Sequence, residues 1–321
     1  MNDLDRSIIA TLAYYGAFGW PLTFMEVYER RIPAHRVGGR QADVMPGAIL
    51  ERLERLTAME LVVQDHGLYA LAGTSDGFVD RRIAQEKIWA QKWRKMLRRA
   101  RWLQMVPFVR GLYASGSLAL GNMSPTSDWD MFVIAEKGRL YTARIGLLMV
   151  ARLMGALRTK HDEVASDAFC FNHYVTTDGL TRRHRSLYVA HGLAVLVPIF
   201  DPRGYLERLW QANQWIGDYL AVSPQGQYVR RSVTYSRIFR GVQRLGELVF
   251  GWLEFPLRRW QQRRVAAIPA TYERGGRVVS NLRELEFHPR SFEAIALSHY
   301  NATLVYYGLA GSREQDSGLT R

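Results

Sequence analysis

The chain has 321 residues, 48% of them hydrophobic, which excludes a disordered chain and leaves room for two or three domains with buried cores. A formal net charge of +13 favours negatively charged partners such as nucleic acid, nucleotides or an anionic membrane surface. The single cysteine, Cys170, excludes an intramolecular disulfide framework and fits a reducing cytoplasm.

The N-terminus, MNDLDRSIIATLAYYG, lacks the basic and apolar regions of a secretory signal. The longest apolar runs, such as LYVAHGLAVLVPIF at 187–200, are shorter than the roughly 18 to 20 residues a membrane-spanning helix needs. A soluble, cytoplasmic protein with no transmembrane segment is expected.

Residues 4–72 predict three helices and a hairpin. Leu4, Ile8, Leu12 and Tyr15 recur at helical spacing, and Gly16 and Gly19 mark the end of that helix. A second helix opens after Pro21 and Leu22, where Thr23 and Glu26 have capping-box spacing. A third starts near Pro46, with Ile49, Leu53 and Leu56 on one face. In LVVQDHGLYALA, two apolar runs flank Asp65-His66-Gly67, the pattern of a β-hairpin. This order predicts a winged helix-turn-helix over 1–75, used either to read DNA through the third helix or as a packing module. Glu51, Glu54 and Glu60 against Arg52 and Arg55 weigh against an approach to phosphates.

Residues 80–105 predict a long helix whose apolar face carries Trp89, Trp93, Met96, Ala100 and Leu103. Lys92, Arg94, Lys95, Arg98, Arg99 and Arg101 lie opposite and are expected to be solvated. A further helix is predicted over 139–158 through Leu140, Leu147, Ala151, Met154 and Leu157. The segment AFCFNHYV (168–175) reads as a buried strand. From 183 to 321 aromatic and apolar residues keep a helical rhythm broken at Pro198, Pro202 and Pro224. In that region Arg258, Arg259, Arg263 and Arg264 surround Trp260, a patch for nucleic acid, for lipid head groups or simply for water. The polar segments 33–44 and 311–321 are expected to be loops or a frayed tail.

The segment YASGSLALGNMSPTSDWDMFVI (113–134) carries the chemistry. Strand-like residues 109–115 run into Gly116-Ser117 and a short helix-compatible stretch, a turn in which glycine permits close approach of backbone to a phosphate and Ser117 adds a hydroxyl. A second strand then holds Asp128 and Asp130 at positions i and i+2, on one face. Two adjacent carboxylates repel unless a cation sits between them, and oxygen donors favour Mg²⁺ or Mn²⁺. Trp129 points the other way, into a core. Cys170 is read as a small buried apolar residue and His173 as a packed strand residue.

Gly116-Ser117, the spacer and Asp128-Trp129-Asp130 resemble the defining motif of the nucleotidyltransferase superfamily typified by DNA polymerase β. The likeness runs from the helix near 95 to the strand ending near 175. YYGAFGWPLT, NQWIGDYL and EFHP (286–289) more loosely resemble bacterial proteins with a winged helix before such a domain. The resemblance implies a mixed sheet flanked by helices over 80–182; with the helical rhythm of 183–321 read as a mostly helical C-terminal domain, an α+β fold is expected. The resemblance also implies an NTP substrate held at Gly116 and Ser117, Mg²⁺ or Mn²⁺ on Asp128 and Asp130, and a third carboxylate on a later strand. Asp167, at the start of the 168–175 strand, is the expected third acid, as metal ligand or base, with Asp162 and Glu163 as alternatives.

The expected activity is transfer of an NMP from an NTP to an acceptor hydroxyl, the basic charge favouring a nucleic-acid or protein acceptor. Two alternatives stand beside it. One is a non-catalytic or weakly catalytic regulator that senses nucleotide and binds nucleic acid; the other is a peripheral membrane protein held by the Trp- and Arg-rich C-terminal helices.

Overall fold

A computed structural model of the chain describes residues 1–158, 166–224, 232–267, 277–288 and 291–309. The expected tail at 311–321 and the alternative acids Asp162 and Glu163 lie outside the described residues. The architecture is mixed α/β, 52% helix and 16% strand, with a mixed sheet and no barrel.

The N-terminal elements form where the side chains predict them. Helix α1 (Asp3–Gly16) is opened by a capping box in which the Asp5 amide donates to Asn2 Oδ1 and the Asn2 amide to Asp5 Oδ2, both at 2.8 Å. Helix α2 (Phe24–Glu29) has the expected Thr23–Glu26 box, and helix α3 (Pro46–Ala58) buries Ile49, Leu53 and Leu56. Strands β2 (Val62–Asp65) and β3 (Leu68–Leu71) make the hairpin, turning through His66 (φ 48) and Gly67 (φ 77), the left-handed pair a two-residue turn requires. The two-residue strand β1 (Leu22–Thr23), too short for a pattern, pairs with the other side of β3.

Helix α4 (Phe78–Ala100) leads to strand β4 (Val109–Ala114), the single-turn helix α5 (Gly116–Leu120) and strand β5 (Trp129–Ala135). Helix α6 (Leu140–Leu153) crosses over to strand β6 (Phe169–Thr176), which lies parallel to β5 as such a crossover permits. Helix α7 (Leu187–Ala194), strand β7 (Val197–Phe200) and helix α8 (Tyr205–Gln211) follow. Then come helices α9 (Arg237–Phe250) and α10 (Glu254–Ala266), strands β8 (Arg277–Ser280) and β9 (Glu284–His288), and helix α11 (Glu293–Tyr306).

The main sheet has the order β7-β4-β5-β6-β9-β8, and among the described residues β5–β6 is its one parallel strand pair. Alternation sorts its faces. Leu112, Ala114, Trp129, Met131 and Val133 join one core with Trp93, Met96 and Leu147 of α4 and α6. Tyr113, Phe132, Ile134 and Val175 join another with Leu193, Leu206 and Leu209 of α7 and α8. The second face is the one to which Asp128 and Asp130 belong by parity.

Residues from 183 onward are mostly helical, as expected, but also supply β7, β8 and β9, three of the six strands of the main sheet among the described residues. These strands are four or five residues long, and in β9 the inward Glu284 and Glu286 disguise the alternation. Helix α11 is likewise packed on α1, its Leu297, Tyr300 and Leu304 completing the core formed by Ile8, Ile9, Leu12 and Leu53.

Arg82 of α4 clamps the N-terminal elements to the rest. It donates to the Pro21 carbonyl at 2.7 Å and to Glu26 at 3.0 Å, and its guanidinium lies 3.6 Å from the Trp20 ring centroid, with only 7% of the side chain exposed. Removing it leaves Glu26 as a largely buried charge with one partner fewer. Arg82→Ala is expected to cost about 3 kcal/mol of unfolding free energy, measured as a fall in the urea midpoint at unchanged m-value, with Arg82→Lys losing less.

Candidate active site

The strand-turn-helix at 109–120 and the start of β5 are joined by backbone as well as by side chains. The Ser115 amide donates to the Asp130 carbonyl at 3.0 Å, holding the turn beside β5. Gly116 has φ 55, and a Cβ there would lie 2.7 Å from Asp130 Oδ2. Both facts restrict the position to glycine, for conformation and for space. Ser117 is half-buried and carries the carbonyl that accepts from Gly121, closing the single helical turn.

Asp128 and Asp130 are brought together as expected, and Trp129 between them is fully buried against Phe169 at 5.0 Å between ring centroids. The third residue at the pair is Cys170, directly opposite Asp130 in the parallel β5–β6 register. Ligand-capable atoms of Asp128, Asp130 and Cys170 all lie within 4.8 Å of one another. A register shift between Met131 and Phe132 also lets Asn172 reach Asp130, donating from Nδ2 to Oδ1 at 2.7 Å.

Burial, followed by repulsion from Asp128, raises the Asp130 carboxyl to about 7, against the opposing pull of His288, Arg158 and a hydrogen bond from Cys170. Burial and the two aspartates push the Cys170 thiol well above its ordinary value, so it is a protonated donor at neutral pH. Arg158 ion-pairs with Asp128 and supplies positive charge to the pair. It closes the segment predicted as helix 139–158. In the structure that helix ends at Leu153, and Gly155 (φ 60) turns the chain so that Leu157 bridges to Phe169.

Asp167 is not part of this group. Its carboxylate accepts from Lys92 at 3.0 Å and Lys95 at 2.7 Å, and its backbone carbonyl accepts from Arg99 at 2.8 Å. Burial alone would raise its pKa, but the two ammonium groups hold it below the ordinary carboxylate value. The expectation of a third metal acid at Asp167 is therefore corrected. Asp167 (φ 58), two residues before β6, shares the parity of Phe169 and Phe171, which face α4, and the basic face of that helix grips it. That face is not purely solvated either, since Lys92 is buried.

Further along the same sheet face, on β6 and β9, lies a group that residue patterns did not disclose. Glu286 accepts from Arg182 at 3.0 Å and from Arg277 at 2.8 Å, and lies 3.2 Å from His288 Nδ1; Glu284 pairs with Arg182 at 2.7 Å. Burial opposes the Glu286 charge, but His173, His288 and the arginines hold its pKa far down. His173, buried and facing Arg182, is depressed to about 4 and is neutral at physiological pH. This is a charge-neutralised wall beside the aspartates. The only sequence signal for it was the EFHP resemblance.

No protein-family model, curated protein or solved structure matches the chain.

Because the folded-state pKa of Asp130 is raised, the native protein binds a proton that the unfolded chain has released between about pH 4 and pH 7. This contribution to stability is full below the unfolded pKa and is lost as pH rises through about 7. Asp130→Asn removes it. The variant is expected to gain stability relative to wild type on going from pH 4 to pH 8, read from urea midpoints at each pH.

Proposed function

We propose that Asp128 and Asp130 form the divalent-cation site of a nucleotidyltransferase that moves an NMP from an NTP to an acceptor hydroxyl and releases pyrophosphate. The observation that carries this reading is the contact between the two halves of the motif. The Gly116 turn lies directly on the Asp130 carboxylate, so a triphosphate at the turn meets the acid pair.

The donor set fits a cation. Two carboxylates on one strand face, one of them pushed to about 7 by burial and its neighbour, form a pocket of negative potential that a divalent ion would relieve. Mg²⁺ or Mn²⁺ held by Asp128 and Asp130 would neutralise phosphate charge and activate the acceptor hydroxyl. The Cys170 thiol is a poor third ligand for Mg²⁺ and favours a softer ion such as Mn²⁺ in the comparison. The chain's own groups do the rest. Gly116 and Ser117 admit and hydrogen-bond phosphate oxygens, Arg158 sits where a second positive charge can move from Asp128 to phosphate, and Asn172 orients Asp130.

A second reading rests on one observation, the thiol at the third position. With Cys170 in the register position opposite Asp130 and Asp167 held by two lysines, no third carboxylate joins the pair among the described residues. A site of this kind binds nucleotide and turns it over slowly, as a sensor would. We place the N-terminal winged helix in either scheme as a packing module. Arg52 of α3 is bound to Asp5 at 2.6 and 2.7 Å, which leaves exposed Glu51 and Glu54 beside Arg55 on the outer face of that helix, a poor surface for phosphates.

Incubation with labelled NTPs, Mn²⁺ or Mg²⁺ and candidate acceptors separates the two. Under the transferase reading, labelled acceptor forms with wild type and falls by roughly a hundredfold or more in Asp128→Ala and Asp130→Ala. Cys170→Asp, which adds the third carboxylate in register, is expected to raise the rate by about tenfold. If wild type binds a non-hydrolysable NTP but labels nothing, and Cys170→Asp labels, the sensor reading holds. Loss of nucleotide binding in neither aspartate variant sinks both. Asp167→Ala is expected to lower stability by about 3 kcal/mol, because it strands buried Lys92, while leaving the metal dependence of nucleotide binding unchanged.

A further inference from the structure

Helix α9 is mounted with its polar residues inward. Gln243 donates to the carbonyls of Val106 and Val109 at 3.1 and 2.9 Å, and Glu247 accepts from the Phe108 amide at 3.1 Å and from Arg110 at 2.6 Å. Gly246 rests on Pro107, so closely that a Cβ would lie 2.6 Å from the ring. None of its residues is buried.

The apolar residues face out. Ile238, Val242, Leu245 and Val249 recur at i, i+4, i+7 and i+11, with Leu248 beside them and Trp252 on the next turn. Ile238 is 77% exposed, Leu248 83% and Trp252 74%. This inverts the usual arrangement, in which the apolar stripe is the buried one. Phe255 and Trp260 of α10 are exposed as well.

Charge accompanies the stripe. Residues 237–266 contain seven arginines, Arg237, Arg240, Arg244, Arg258, Arg259, Arg263 and Arg264, against Glu247 and Glu254. Both glutamates are turned inward, Glu247 to Arg110 and Glu254 to the amides of Tyr141 and Thr142. Guanidinium groups lie over exposed rings instead, Arg258 and Arg259 over Phe255 at 5.3 and 5.7 Å and Arg264 over Trp260 at 4.9 Å.

We propose that α9 and α10 dock on an anionic lipid membrane, lying in the plane of its interface with the Ile238–Trp252 stripe among the acyl chains and the arginines at the phosphates. Aliphatic stripe, tryptophan and snorkelling arginine are the combination such helices need. The charge excludes the other occupants in turn. A second copy of the same surface would set arginine against arginine, with no outward acid to pair. A nucleic acid would satisfy the arginines and leave the stripe in water. An anionic bilayer satisfies both. No helix among the described residues is long and apolar enough to cross a membrane, so the attachment is to one leaflet.

Flotation of the full chain with phosphatidylcholine vesicles, with and without about one third phosphatidylglycerol, tests the proposal. Wild type floats with the anionic vesicles. The double variant Leu245→Glu, Val249→Glu changes two exposed positions, keeps its circular dichroism and melting point, and partitions at least roughly tenfold less. Replacing Arg258, Arg259, Arg263 and Arg264 by Gln weakens partition and flattens its salt dependence. The proposal is overturned by wild type that floats with neither vesicle, or by glutamate variants that float as well as wild type. It is equally overturned by a dimer in sedimentation velocity that the glutamate variant splits while vesicles recruit nothing, or by salt-sensitive RNA binding through the same arginines without flotation.

Discussion

Two carboxylates on one face of one strand, partly shielded from water, are a cost that the surrounding fold must offset. The repulsion between Asp128 and Asp130 is met from three directions. Arg158 pairs with Asp128, Asn172 and the Cys170 thiol donate to Asp130, and His288 adds positive potential from the neighbouring strand. These groups come from the segment before β6, from β6 itself and from β9, and are in place only because β5, β6 and β9 are in register. The parallel β5–β6 pair is the joint on which this depends. Slipping it by one residue would exchange the faces, sending the aspartates into the core and Trp129 out of it.

Two populations stand out in the basic excess of the chain. One is structural: Arg82, Lys92, Lys95, Arg110 and Arg182 are each bound to a named carboxylate, four of them within the shell around the central sheet and one at its junction with the N-terminal elements. The other is outward, on α9 and α10, and stands over aromatic rings. Net charge by itself points to polyanions in general. Its distribution, with buried partners around the sheet and an outward group beside the apolar stripe of α9, is what gives it direction.

Much of this was legible in residue patterns. The Thr23–Glu26 capping box, the Asp65-His66-Gly67 turn, the Gly116-Ser117 step and the alternation of β5 are local signals, decided within a few residues, and the structure realises them where they were read. What escaped was non-local. Strands β7, β8 and β9 are too short to carry a period, and the Glu284/Glu286 face looks solvent-exposed until Arg182, more than a hundred residues earlier, is brought against it. The orientation of α9 was hidden in the same way. Its period is plain, but only the carbonyls of Val106 and Val109 determine that Gln243 faces in and Leu245 faces out. Asp167 was misplaced because parity along β6 groups it with Phe169 and Phe171 on the α4 side and leaves Cys170 on the side of Asp130.

The packing of α11 on α1 joins opposite ends of the described chain in one core. On a ribosome, the N-terminal helices therefore emerge with Ile8, Ile9 and Leu12 lacking part of their cover, and must wait through the synthesis of the whole central sheet before Leu297, Tyr300 and Leu304 arrive. Completion of that core follows the sheet in synthesis, and until then its apolar surface is open to contacts that the finished fold does not make.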